Sequence, residues 1–108
     1  MTALTPYCLV LTTTSTHAEA EELAKGIIER RLAACVQVQN ITSFYTWNEE
    51  SCSSPECILL IKTRVDRYQM LEMFIREQHR YETPEIIQIP ITAGFSGYLR
   101  WIDQSTMT

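Results

Sequence analysis

The 108-residue sequence has room for one domain, and 45% hydrophobic and 20% charged residues are typical of a globular protein. The net charge is −4 and the nine Lys and Arg residues are scattered, which argues against nucleic acid or an anionic membrane surface as a partner. No apolar run reaches the ~20 residues of a membrane span, and the N-terminus lacks a signal-peptide pattern. We therefore expect a cytoplasmic protein with four reduced cysteines.

The first half of the chain is predicted to form a strand, a helix and a second strand. Residues 7–11 are continuously apolar, as in a central strand. Thr16 and Glu19 match a capping box, and the apolar residues that follow at helical spacing predict a helix over residues 16–31. Residues 33–47 alternate like a strand, but after Asn40 the apolar positions move from even to odd numbers. This change of phase predicts a β-bulge near Asn40.

The predicted strand over residues 33–47 is too long for the domain that carries it. Fifteen extended residues span about 50 Å at ~3.3 Å each, whereas a globule of this size has a radius of gyration of only ~13 Å. The overhanging part carries the apolar side chains of Ile41, Phe44, Tyr45 and Trp47. Another chain is expected to cover them.

The second half repeats the scheme. A strand is predicted at residues 58–61, a helix opens near residues 63–66 and ends before Pro84, and a strand follows at 85–91. Pro90 should lie at an edge or a strand end, and residues 98–102 suggest a short C-terminal helix. The order predicts an α+β, ferredoxin-like βαββαβ sandwich with a long central β-hairpin. We expect one domain over residues 1–108, with residues 1–6 as a flexible tail.

Five short motifs stand in order along the chain, at residues 32–36 (LAACV), 43–47 (SFYTW), 61–63 (IKT), 79–86 (HRYETPEI) and 98–102 (YLRWI). Together they resemble the CutA family, the divalent-cation tolerance proteins, over about residues 7–105. The resemblance implies a ferredoxin-like fold and a tight homotrimer in which long β-hairpins pair with neighbouring subunits. It also implies a link to copper or other divalent cations, but no established enzymatic reaction.

The resemblance also suggests metal ligands. Cys35 and His79 match positions carried as candidate ligands, and thiolate with imidazole suits copper or zinc. Glu82 and Glu85 are weaker candidates beside His79. A cysteine proposed as a copper ligand in some relatives would fall at Thr12, which is no ligand for a soft metal. We therefore expect any divalent cation to bind weakly, because two ligands per chain do not close a tetrahedral site.

Each candidate also has a purely structural interpretation. Cys35 follows two alanines and would serve as a small buried hydrophobe, and His79 would cap a helix C-terminus. His17 is expected to be solvated, and Cys52 and Cys57 to be thiols of a Ser-rich turn. The aromatic side chains of the overhanging strand are expected at a subunit interface, with Trp47 as the anchor and with Phe44 and Tyr45 beside it.

The leading functional hypothesis is a trimeric, non-enzymatic divalent-cation (copper) tolerance or metal-response protein that binds a cation weakly or presents its surface to a protein partner. The alternative is a trimeric small-molecule-sensing signalling protein with ligand clefts between subunits. An acylphosphatase-like enzyme would need an Arg in a phosphate-binding loop after the first strand. Residues 12–16 offer hydroxyls there but no Arg.

Overall fold

The computed structural model describes residues 5–107, which form a mixed α+β fold. The predicted βαββαβ order with a terminal helix is confirmed. Its elements are β1 (Tyr7–Thr14), α1 (His17–Glu29), β2 (Cys35–Trp47), β3 (Glu50–Arg64), a 3₁₀ turn (Val65–Arg67), α2 (Tyr68–Gln78), β4 (Ile86–Pro90) and α3 (Ser96–Thr106).

The four strands form one antiparallel sheet in the order β2-β3-β1-β4. Alternate residues of β1 and β3 face α1 and α2 and are buried, as are Leu23 and Ile27 of α1 and Leu71 and Ile75 of α2. This is the arrangement of the ferredoxin-like plan, in which two helices cover one face of the sheet. β2 and β4 are left as the edge strands. Pro90 ends β4, as predicted, where it interrupts no pairing with a further strand in residues 5–107.

The predicted N-terminus of α1 is confirmed, and its C-terminus lies earlier than expected. The Thr16 hydroxyl accepts a hydrogen bond from the Glu19 backbone N–H at 3.1 Å. The helix ends at Glu29 because Arg31 takes a left-handed conformation, with φ 54°. The Leu32 N–H then donates to the Ile27 carbonyl at 3.1 Å, the pattern of a Schellman motif.

The central hairpin has a regular register, so the predicted bulge near Asn40 is wrong. β2 and β3 pair without interruption from Cys35 opposite Lys62 to Trp47 opposite Glu50. The change of phase has another cause. Asn40 pairs with Cys57. Cys57 is also the residue nearest the hairpin turn at which β3 still pairs with β1. Beyond this pair the hairpin leaves the body of the sheet, and Ile41, Tyr45 and Trp47 lie on the face opposite to Val36 and Val38.

The part of the hairpin beyond the Asn40–Cys57 pair is called the arm here and comprises residues 41–56. Seven residues on each strand project about 23 Å at ~3.3 Å per residue. The two turn residues, Asn48 and Glu49, have φ values of 50° and 65°, as in the type I′ turn that suits the twist of a hairpin. The predicted overhang is therefore present.

Strand β3 is much longer than the predicted segment at residues 58–61. The serine-rich residues 51–54 pair with β2, so Cys52 and Cys57 lie on a strand and not in a loop. Cross-strand pairing outweighs the weak strand preference of this segment. Pro55 is tolerated because it lies outside the part of β3 that pairs with β1, and no third strand among residues 5–107 needs its missing N–H.

The remaining elements differ from expectation mainly in length. α2 begins after a 3₁₀ turn and ends at Gln78, before Pro84 as predicted. α3 has 11 residues and is twice as long as expected. Residues 1–4 of the predicted flexible tail lie outside the described residues, whereas the Thr5 hydroxyl donates to the Ile91 carbonyl at 2.7 Å.

Candidate functional site

His79 caps the C-terminus of α2, and both of its ring nitrogens make hydrogen bonds. The Tyr81 backbone N–H lies 3.1 Å from Nδ1, so Nδ1 must accept. Nε2 therefore carries the proton in the neutral ring and donates to the Thr13 carbonyl at 2.6 Å. The imidazole holds the loop after α2 against the end of β1. Either nitrogen would have to break a hydrogen bond before it could bind a metal ion.

The loop after His79 is fixed on two further sides. The Tyr81 hydroxyl donates to a Glu56 carboxylate oxygen of the arm at 2.6 Å. Burial, followed by this hydrogen bond, raises the pKa of Tyr81, so its hydroxyl stays protonated. Arg80 pairs with Glu19 of α1 at 3.1 Å. The hydrogen bond from the Ser15 hydroxyl is the largest cause of a lowered Glu19 pKa.

An open groove of about 660 Å³ separates this loop from the arm. Glu82 and Glu85 line one side, and Phe44, Tyr45 and Trp47 line the other. The structure thus brings the two weaker predicted ligands together with all three predicted interface residues. The exposed fractions are 81% for Phe44 and 50% for Trp47.

Cys35 is remote from His79 within one chain. It pairs with Lys62, which in turn pairs with Leu9, whereas His79 contacts Thr13. Four residues along the sheet correspond to about 13 Å, and β3 lies between the two strands. The structure therefore does not bring the two stronger predicted ligands together. In residues 5–107, no group of three or more His, Cys, Asp or Glu side chains is placed to hold an ion.

A second cluster, which the sequence interpretation missed, lies where the arm leaves the sheet. The Cys57 Sγ is 3.9 Å from Nδ1 of His17 and 3.2 Å from Oδ1 of Asn40. Nε2 of His17 is 2.9 Å from a Glu21 carboxylate oxygen. His17 was expected to be solvated and Cys57 to be a loop thiol. No local motif could reveal the contact, because the hairpin register brings together residues 40 positions apart.

Comparison with known proteins identifies the family. The model of the CutA1 divalent ion tolerance protein family matches residues 8–105. The chain belongs to this family. It is 37% identical over 99 residues to the divalent-cation tolerance protein CutA of Thermus thermophilus, covering 91% of this chain and 96% of that protein. It is 42% identical over 84 residues to a CutA homolog of Xenopus laevis, covering 77% of this chain but only 56% of that longer protein.

Solved structures of the family share the fold. A periplasmic divalent cation tolerance protein CutA from Archaeoglobus fulgidus has a TM-score of 0.92 at 33% identity, over 94% of this chain and 99% of that chain. CutA1 from the psychrotrophic bacterium Shewanella sp. SIB1 has a TM-score of 0.93 at 34% identity, over 98% and 100% of the two chains. The ferredoxin-like fold expected from the resemblance is therefore confirmed.

Proposed function

We propose that this protein is a cytoplasmic homotrimer that acts in divalent-cation tolerance by binding a cation, copper among them, without catalysing a reaction. Membership of the divalent ion tolerance family supports the link to cations. The observation that supports assembly into a homo-oligomer is the arm. It exposes aromatic side chains on a β-ribbon that its own domain does not cover. No helix within residues 5–107 is long and apolar enough to cross a membrane.

The arm and the edge of β2 support association with copies of the same chain. β2 is an edge strand of 13 residues, so one row of its backbone N–H and C=O groups has no strand partner in the described chain. Such an edge favours pairing with another strand. Phe44, Tyr45 and Trp47 on the arm add the aromatic surface that interfaces favour. The number three comes from the family resemblance.

Cys35 and His79 do not come together in a cation site within one chain. Cys35 lies too far from His79, and both nitrogens of His79 are hydrogen-bonded. A site that includes both residues would need more than one chain. Glu82 and Glu85, exposed at the groove, remain proposed ligands.

Calorimetric titration with a divalent cation tests the proposal. Wild-type protein should bind the cation with a modest dissociation constant. Loss of binding in His79→Ala or in Glu82→Gln with Glu85→Gln would support the predicted ligands. Protein that binds no divalent cation would contradict the function. Glu77→Gln, an exposed carboxylate on α2, is the matched control.

A second candidate function is small-molecule sensing at the groove beside the arm. Its volume of about 660 Å³ suits a small ligand, and Arg80, Tyr81 and Glu82 offer polar groups next to the aromatic wall. A screen of small anions and metabolites by thermal shift tests this candidate. A stabilising ligand should lose its effect in Tyr45→Ala, and a ligand that remains effective in that variant would bind elsewhere.

A further inference from the structure

We propose that Cys57, His17 and Asn40 form a binding site for a borderline-soft cation such as Zn²⁺, distinct from the predicted ligands Cys35 and His79. The inference rests on the proposed cation-binding function and gives it a location separate from the groove that Glu82 and Glu85 line. The site lies at the N-terminus of α1, where β1 ends and the arm begins. Its three donor atoms come from three separate elements.

The separation of the Cys57 and His17 donor atoms is close to that around a zinc ion. Zn–S bonds of ~2.3 Å and Zn–N bonds of ~2.0–2.1 Å place the two ligand atoms about 3.6 Å apart in a tetrahedral site. The Cys57 Sγ and His17 Nδ1 are 3.9 Å apart, so a small rotation of the exposed His17 ring closes the difference. The Asn40 Oδ1 is a third donor, which accepts the thiol hydrogen at 3.2 Å and would have to move away from Sγ by about 0.4 Å to share an ion. Thiolate and imidazole are ligands that zinc and copper favour.

Glu21 gives the site an outer support of the kind found at metal-binding histidines. Nε2 of His17 lies 2.9 Å from the Glu21 carboxylate, so it carries the proton and donates. This leaves the Nδ1 lone pair directed at Cys57 and fixes the tautomer that a metal ligand needs. His79 has the reverse arrangement, because a backbone N–H already occupies its Nδ1.

Burial differs across the cluster in a way that permits a cation to enter from solvent. Cys57 is 4% exposed, whereas the His17 side chain is 56% exposed. The thiol is thus shielded from bulk oxidants while the imidazole opens to solvent. Three protein donors leave a fourth position for water, so the site is expected to bind more weakly than a closed structural zinc site.

Cobalt and zinc titrations of the full chain test the site. Co²⁺ should give a near-ultraviolet sulfur-to-metal absorption band in wild type, and Cys57→Ser should abolish it. His17→Gln should weaken Zn²⁺ binding at least tenfold, and Glu21→Gln about tenfold. Cys52→Ser is the matched control and should keep both the band and the affinity, whereas Cys35→Ser and His79→Gln distinguish this site from the ligands expected from the family resemblance. Circular dichroism checks that each variant is folded, and His17→Gln alters only an exposed side chain.

The outcomes separate this proposal from the general function. If Zn²⁺ binds wild type, Cys57→Ser and His17→Gln equally well, this site is refuted while cation binding stands. If binding is lost in Cys35→Ser or His79→Gln instead, the ligands are those expected from the family resemblance. Wild-type protein that binds neither Zn²⁺ nor Co²⁺ would refute both proposals.

Discussion

At the scale of single residues, the contacts of His79 and Cys57 show which parts of the site the sequence could reveal. The cluster of His79 with Tyr81, Glu82 and Glu85 is visible because its members are neighbours in sequence. The partners that determine its chemistry, the Thr13 carbonyl and Glu56, come from other elements. The contact between Cys57 and His17 depends on strand register, which short motifs do not encode.

His79→Ala should destabilise the fold, because it removes the hydrogen bond that joins the loop after α2 to β1 and the one that Tyr81 donates within that loop. The expected loss is about 1–3 kcal/mol in the free energy of unfolding, measured with guanidinium at fixed protein concentration. Glu77→Ala, exposed on α2, should change stability by less than about 0.5 kcal/mol. Equal stability of the two variants would show that the imidazole contacts contribute nothing.

Glu19 should make the fold sensitive to acid. Its folded-state pKa is lowered, chiefly by the Ser15 hydroxyl and also by Thr16 and Arg80. A lowered folded-state pKa stabilises the fold at any pH above the ordinary carboxyl pKa. This stabilisation is lost as the pH falls through the folded-state pKa. Wild type should therefore be more stable than Glu19→Gln at pH 7, and the difference should shrink towards pH 3. Urea midpoints across this range measure it, and a constant difference would contradict the assignment.

At the scale of elements, periodicity predicted the order and type of helices and strands, and failed where a neighbouring strand sets the structure. The Ser-rich residues 51–54 have little strand preference, yet they pair throughout with β2. The shift of apolar residues at Asn40 was interpreted as a bulge. In the structure it marks the point where the hairpin leaves the body of the sheet and the arm begins. The apolar pattern of one sequence looks the same for this change as for a bulge.

The turn of the arm offers a paired test. Glu49 has φ 65°, a conformation that favours glycine, whereas Glu50 is the first residue of β3. Glu49→Gly should raise the free energy of unfolding by about 1 kcal/mol, and Glu50→Gly should lower it by about 0.5–1 kcal/mol. Guanidinium unfolding at one protein concentration gives both values. The same sign for both variants would rule out the proposed turn.

At the scale of the whole molecule, the arm leaves an aromatic surface uncovered in the single chain. The chain measures 44 × 35 × 22 Å and leaves Phe44, Tyr45 and Trp47 uncovered on its projecting ribbon. The sequence could predict this surface because fifteen extended residues exceed the size of the domain. It could not predict what would cover this surface, because the surface of a partner is not encoded in local periodicity.

Trp47→Ala should weaken assembly more than it harms the subunit fold. An aromatic anchor at an interface typically contributes about 2 kcal/mol or more, and Trp47 is half exposed in the single chain. Sedimentation at decreasing concentration should show earlier dissociation than in wild type, while far-ultraviolet circular dichroism stays unchanged. Met73→Ala, an exposed apolar residue on α2, is the control. Identical dissociation of both variants would place Trp47 outside the interface.

The mass of the particle in solution tests the central claim most directly. Multi-angle light scattering at micromolar concentration should give three times the chain mass of 12.5 kDa, and the value should hold on dilution until the interface dissociates. A mass of one chain at that concentration would contradict the account, since the arm would then be a solvated ribbon.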